Sequence, residues 1–301
     1  MINTLCLGGG GIKGISYLGA LKYLEENNFL KISNLKILSG TSAGSILVFF
    51  INIGFTIDEL IEFVLQFDFC KFIPDINCNT ILTMFGMNTG EKIITAVITF
   101  LKEKYNREDI SFIELYNLTG KELNIYVTNY TKSRGEVFNY LETSDASIIL
   151  AIKMSISVPF FFTPVEYNNC FYVDGGLTNN FPLQYHEPET SFGLVIANNS
   201  ENSLSSLTRY FSGLCSVAID SLSLNIIKQI KKYKIEYKYL EIKCTREESL
   251  NFKIDTEIIQ TYIDDGEIVA KKYYRNFIVK EVVNDLINKS IDKSIDNLND
   301  E

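Results

Sequence analysis

Two short stretches of this sequence set reactive oxygens among glycines. Gly40-Thr41-Ser42-Ala43-Gly44 has the spacing G-x-S-x-G, and Asp174-Gly175-Gly176 puts a carboxylate before two glycines. In a strand-to-helix turn the first pattern is a nucleophile elbow: its glycines permit a strained backbone that lifts the serine hydroxyl clear, and the Ala43 N–H can then face an oxyanion. An aspartate can accept the hydroxyl proton, although a carboxyl pKa of about 4 makes it a weak base for an alcohol. A third stretch, Gly8-Gly9-Gly10-Gly11-Ile12-Lys13-Gly14, joins an apolar run to a helical pattern. Bare backbone there offers N–H donors to a negative charge, helped by the partial positive charge of the helix start. A serine, a carboxylate and a loop of amide donors together suit acyl transfer, whose tetrahedral intermediate carries a transient oxyanion.

The elements that must position these groups are legible in the periodicity. Residues 2–7 read as a strand, and Ile15, Leu18, Leu21 and Leu24 form a helical stripe within 12–28. Residues 34–40 read as a second strand that turns at Ser42 into a second, apolar helix, so a β–α unit repeats. Thr56 with Glu59 forms a capping box opening a helix to about 67, and Asn88 with Glu91 suggests another running to about 105. Residues 123–130 and 136–140, around "TKSRG", read as a hairpin; 146–154 reads as a helix; 171–174, 192–198 and 237–244 read as strands. The strand 171–174 is expected to aim Asp174 from the same carboxyl edge of the sheet as Ser42. From about residue 203 helical patterns dominate.

Standing anions fit the glycine loop less well. Gly9, Gly11 and Gly14 satisfy G-x-G-x-x-G, but the second strand ends in "LKILSGTSAG", without the acidic residue that would hold a ribose. A phosphate-cradling Gly-Lys-Ser/Thr loop also fails, because Lys13 precedes Gly14. The chain has a single histidine, His186, so a Ser42–Asp174–His186 triad has the right chain order. Twelve residues from Asp174 to His186, Pro182 among them, leave little room to return the imidazole to the site. His186, followed by Glu187-Pro188-Glu189, is expected in a surface loop, with Asp174 itself as the base.

With 301 residues and 46% hydrophobic content the chain can bury a sizeable core. Its formal net charge of −9 argues against nucleic-acid partners and against long-range attraction to anionic membranes. The six cysteines lack CxxC pairing and no D-x-D-x-D-G loop is present, so no metal or other cofactor is implied. No signal peptide or membrane span is read; the apolar run 45–55 is too short to cross a bilayer. The expectation is an intracellular protein, cytoplasmic or peripheral to membranes. Oligomeric state is not encoded in any motif.

Three motifs in order, "GGGGIKG" (8–14), "GTSAG" (40–44) and "DGG" (174–176), with "SISVPFFFTPV" (155–165) and "NNFPL" (179–183), resemble the patatin-like phospholipase family. Many members begin the glycine loop with aspartate where this chain has Gly8. The resemblance covers residues 4–187, expected to form the catalytic region, with 188–301 a helix-rich extension packed on it. It implies a three-layer α/β/α fold with a mainly parallel central sheet and a lipid acyl hydrolase acting on phospholipid or another lipid ester. Ser42 is then the nucleophile, Asp174 the base, and Gly9, Gly10, Gly11 and Ala43 the oxyanion hole. Lys13, Gly14, Gly40, Gly44, Gly175 and Gly176 support the motifs; Lys13 either orients the loop or is a solvated lysine. An acyltransferase and a non-catalytic lipid-binding scaffold remain open alternatives. Transient membrane contact is expected through residues 66–90, Phe69 and Phe72 among them, unless these are core; the lysine-rich 228–238 is the other candidate.

Overall fold

The computed structural model describes residues 1–72, 83–197, 207–233, 235, 237–244 and 252–299. Its strands are β1 (Thr4–Leu7), β2 (Ile37–Thr41), β3 (Gly86–Asn88), β4 (Glu122–Asn129), β5 (Arg134–Phe138), β6 (Phe160–Phe162), β7 (Val165–Tyr167), β8 (Cys170–Asp174), β9 (Ser191–Ala197) and β10 (Lys238–Lys243). The helices are α1 (Ser16–Glu26), α2 (Ala43–Asn52), α3 (Ile57–Gln66), α4 (Glu91–Tyr105), α5 (Phe112–Thr119), α6 (Ile148–Ser155), α7 (Gly176–Asn179), α8 (Leu207–Lys232) and α9 (Thr256–Asn299).

The central sheet runs β10-β9-β1-β2-β4-β8-β7, with β5 also on β4. Pairing is parallel from β10 through β4 and antiparallel beyond it. This mostly parallel sheet flanked by helices is the three-layer α/β/α arrangement. Buried strands are apolar on both faces, and alternation assigns each side chain to a layer. Leu5, Leu7, Leu194 and Ile196 enter the larger core with α1, α2 and α9, whereas Cys6 and Val195 face Phe181, Leu183 and α8. Strands from both sides of residue 187 therefore share one sheet. Helix α9 lies close on α1: a Cβ on Gly266 would meet the Ser16 carbonyl oxygen at 1.8 Å, so only glycine permits this approach.

Local rules account for most boundaries. The Thr56–Glu59 capping box forms with both hydrogen bonds, and a second, Ser111–Glu114, opens α5. The box expected at Asn88 and Glu91 does not form. Gly90, in left-handed backbone, is the N-cap of α4, and the Asn88 side chain accepts from the Gly90 N–H at 2.9 Å instead. Asn88 instead ends β3, paired with β6. The pattern over 12–28 divides into a 3-10 turn, Gly11–Ile15, followed by α1. The described cysteines are all free thiols; Cys78 lies outside the described residues, as does 73–82 of the expected membrane segment. No described helix is long and apolar enough to cross a membrane.

Candidate active site

One strand edge brings the serine and the aspartate together. Residues Ile125–Asn129 of β4 pair with β5 on one side, so β2 and β8 both lie on the other. There β2 arrives parallel, with Thr41 opposite Tyr126, and β8 arrives antiparallel, with Asp174 opposite Val127. The two strands run head to head and stop one register position apart. Asp174 thus reaches the edge where Ser42 sits, as expected, but from the opposite direction to the one read from sequence. A strand's side-chain period is the same in either direction, so direction was not encoded locally.

Ser42 has φ 52° and ψ −127°, a conformation unusual for a residue with a side chain. Neighbours hold it there. The Ser42 N–H donates to Ser155 Oγ at 2.9 Å, and the Ser42 carbonyl accepts from the Ser45 N–H and hydroxyl at 2.8 and 2.6 Å. Ser155 Oγ in turn donates to the Tyr126 carbonyl at 2.7 Å. The same segment holds the aspartate: the Asp174 N–H donates to Ser157 O at 2.9 Å and the Gly175 N–H to Ser155 O at 3.3 Å. Sequence reasoning had given Ser155 and Ser157 no role; Ser-x-Ser ending a helix before Val158-Pro159 was the available signal.

The Asp174 side chain is 1% exposed. Burial pushes its carboxyl up to about 7, against the Ser42 hydroxyl and the Gly176 N–H, both of which favour the charged form. Oδ1 accepts from Gly176 N–H at 2.7 Å. Oδ2 is buried without a formed hydrogen bond to a described residue.

The glycine loop abuts the serine. A Cβ on Gly9 would stand 3.1 Å from Ser42 Cβ and 2.3 Å from Asn180 Oδ1, which leaves no space for a side chain. The Gly9 N–H, expected among the oxyanion donors, is donated to Asn180 O at 3.1 Å. The Gly10, Gly11 and Ala43 N–H groups, at or just before the starts of the 3-10 turn and α2, make no hydrogen bond to a described residue. Gly8 is anchored through its carbonyl by the Tyr17 hydroxyl at 3.0 Å. Gly40, Gly44 and Gly14 pack the elbow onto itself, onto the end of β1 and onto Ala43, and Gly175 lies against the Tyr126 carbonyl.

Ser42 stands between two cavities. One, of about 150 Å³, is lined by apolar side chains such as Ile46, Phe63, Phe69, Val97, Phe100 and Phe162. The other, about 60 Å³, holds Asp174, Gly10, Asn180, Cys215 and Asp220 around the same serine. Phe69 is 9% exposed and lines the larger cavity, so it belongs to the interior, not to a membrane-facing patch.

Lys13 is 2% exposed, which excludes the solvated-lysine reading. Burial pushes the neighbouring Cys244 thiol up to about 11, and Lys13 and Asp265 of α9, also buried, act on it with opposite sign, Asp265 raising it and Lys13 lowering it. His186 is not in the site. It precedes β9, and the nearby Thr190 carbonyl accepts from Asn3 and Thr4 N–H at 2.9 and 3.2 Å, which puts this link at the amino edge of the sheet.

Comparison with known proteins extends these observations. A family model described as patatin-like phospholipase matches residues 5–185. The uncharacterized protein R571 of Acanthamoeba polyphaga mimivirus is 31% identical over 264 residues, 84% of this chain and 87% of that protein. The protein called "Probable lipid hydrolase 463L" in Invertebrate iridescent virus 6 is 35% identical over 192 residues, 61% of this chain and 64% of its own length. Among solved structures, VipD from Legionella pneumophila shares the fold, with a TM-score of 0.60 at 16% identity over 91% of this chain and 67% of that one.

Proposed function

The chain belongs to the patatin-like phospholipase family, and from that premise we propose that it is a lipid acyl hydrolase of phospholipase A type, working through Ser42 and Asp174. The observation that carries this reading is the meeting of β2 and β8 beside β4, which sets a strained serine against a buried carboxylate. Ser42 Oγ attacks the ester carbonyl and its proton passes to Asp174. The oxyanion takes the N–H groups of Gly10, Gly11 and Ala43. Collapse breaks the ester C–O bond, Asp174 returns the proton to the departing alcohol, and an acyl-serine remains. Water then attacks this ester by the same route, Asp174 again taking and returning the proton, and the fatty acid leaves.

A carboxyl raised to about 7 removes much of the weakness of aspartate as a base, because the proton transfer is less uphill than at an ordinary carboxylate. A donor of the oxyanion-hole kind contributes about 3–4 kcal/mol in a well-measured protease. The acyl chain occupies the larger apolar cavity, and the smaller one faces the alcohol side. Residues 188–301 belong to the same catalytic unit, since β9 and β10 extend the sheet and Ser223 of α8 accepts from Asn180 Nδ2 at 3.0 Å.

The test is incubation with defined phospholipids and mass spectrometry of the products, alongside labelling by a fluorophosphonate. Release of fatty acid together with label on Ser42 is expected. Label on Ser42 with acyl groups delivered only to alcohols would make the protein an acyltransferase, and absence of both label and products would leave a lipid-binding scaffold.

A further inference from the structure

Helix α8 carries apolar side chains on two faces. Its inner face walls the smaller cavity with Cys215 and Ile219, and Ile227 and Ile230 are buried against Phe181 and Leu183. On the outer face Tyr210, Leu214, Val217 and Leu224 follow helical spacing and are 45%, 48%, 53% and 50% exposed. A second segment, distant in sequence, lies near the start of this helix. Met84 and Phe85 are 45% and 70% exposed and directly precede Gly86, which pairs with Phe160; the Phe160 ring stacks on Phe211 of α8 with centroids 4.2 Å apart. Single exposed apolar side chains are ordinary on protein surfaces, but a stripe joined by a second segment marks a contact surface.

Charge identifies the occupant. Within a chain of net charge −9, α8 carries four basic side chains and one acidic. Lys228 continues the outer stripe one turn beyond Leu224 and is exposed, and Lys232 lies one turn further. Lys231 is already paired with Glu241 at 3.0 Å. Apolar side chains flanked by lysines suit an interface between acyl chains and anionic headgroups.

We propose that the outer face of α8, with Met84 and Phe85, is the surface by which this protein docks on a phospholipid bilayer. The choice of a bilayer as occupant rests on the lipid hydrolase reading. The net negative charge of the remaining chain opposes binding by other faces.

Flotation with phosphatidylcholine vesicles containing phosphatidylserine tests the surface, using the full chain with Ser42→Ala so that the vesicles stay intact. The combined change Leu214→Ser, Val217→Ser, Leu224→Ser is expected to lower vesicle binding by roughly tenfold or more. In the Ser42 protein the same change is expected to leave hydrolysis of a soluble short-chain ester intact. Should the triple variant fail to fold, Met84→Ser with Phe85→Ser, outside the helix, must give a fall in the same direction. Undiminished flotation of the folded variants overturns the proposal. So does a parent chain that dimerises, becomes monomeric in the variant and binds vesicles equally well in both forms, since the stripe is then a self-association face. Soluble-ester hydrolysis reports on the hydrolase reading separately: its absence in the parent rejects that reading, while flotation still decides the surface.

Discussion

Asp174, buried, and His186, half-buried, are titratable groups at opposite edges of one sheet, and desolvation drives both toward their neutral forms. Asp174 is raised to about 7 and His186 is lowered to about 4, each with desolvation as the leading cause. Each also has a buried atom, Asp174 Oδ2 and His186 Nε2, without a formed hydrogen bond to a described residue. What differs is the company. Asp174 ends a strand that runs head to head with β2 and faces a strained serine; His186 lies in the link to β9 at the amino edge, where its backbone carbonyl accepts from the Tyr237 hydroxyl at 2.8 Å. A displaced pKa therefore marks burial, and only the adjoining nucleophile and free amides give it a chemical use.

The largest effects should separate these two groups. Ser42→Ala and Asp174→Asn are each expected to lower kcat by roughly a thousandfold or more, while His186→Leu keeps most activity. A comparable loss in the histidine variant, measured on the same ester, would revive the triad. In the parent, kcat/KM should rise with pH and level off above about 7, as the Asp174 carboxyl ionises.

Ser155 offers a finer test of the proposed catalytic edge, because its Oγ accepts from the Ser42 N–H and its carbonyl from the N–H of Gly175, next to Asp174. Ser155→Ala removes the acceptor of the Ser42 N–H and the donor to Tyr126 O, so the strained turn loses a clamp. An expected loss of roughly 10–100-fold in kcat, with KM little changed, would come from misplacement by a fraction of an ångström. Ser155→Thr, which keeps the hydroxyl, should recover part of it. Equal effects of alanine and threonine would mean that packing, not the hydroxyl, is what matters.

Much of this edge was legible in the sequence, and the reasons for the remainder are physical. Ser42 and Asp174 stood out because glycines around a reactive side chain mark turns, and Thr56–Glu59 because a capping box is wholly local. The antiparallel approach of β8 was not legible, since pairing direction depends on a partner distant in the chain. Nor was the engagement of the Gly9 N–H, which depends on Asn180, or the burial of Lys13, which requires α9 to pack on α1. The raised carboxyl of Asp174 likewise needs the surrounding chain in place before any desolvation exists. Phe69 shows the same limit from the other side: an aromatic-rich stretch fits a membrane patch or a cavity wall equally well until its neighbours are known.

Stability against pH should next distinguish the edges. Asp174 holds a proton in the folded chain between about pH 4 and 7 that the unfolded chain has lost, so its contribution becomes less favourable as pH rises through that window. Above it the buried carboxylate costs up to roughly 4 kcal/mol. Asp174→Asn is therefore expected to stabilise the protein by about 2–4 kcal/mol at pH 8 and by little at pH about 4, in urea unfolding. Equal stability of variant and parent at pH 8 would mean that the carboxylate is hydrated and the dry site is wrong.

The smallest effect belongs to His186, and its sign is opposite. Its pKa is depressed in the folded chain, so between about 6.5 and 4 the unfolded chain binds the extra proton and stability falls as pH falls. The ring keeps partial solvent access, which limits the loss to about 1–2 kcal/mol. In the parent this acid-side loss is masked, because Asp174 gains stability over nearly the same range. The Asp174→Asn background removes the mask. There, adding His186→Leu should raise stability at pH about 4.5 relative to pH 8 by about 1–2 kcal/mol more than the asparagine variant alone, whatever constant offset the change in packing brings. If the two curves instead stay parallel across that range, His186 is not held neutral by its partial burial, and desolvation acts at the Asp174 edge alone.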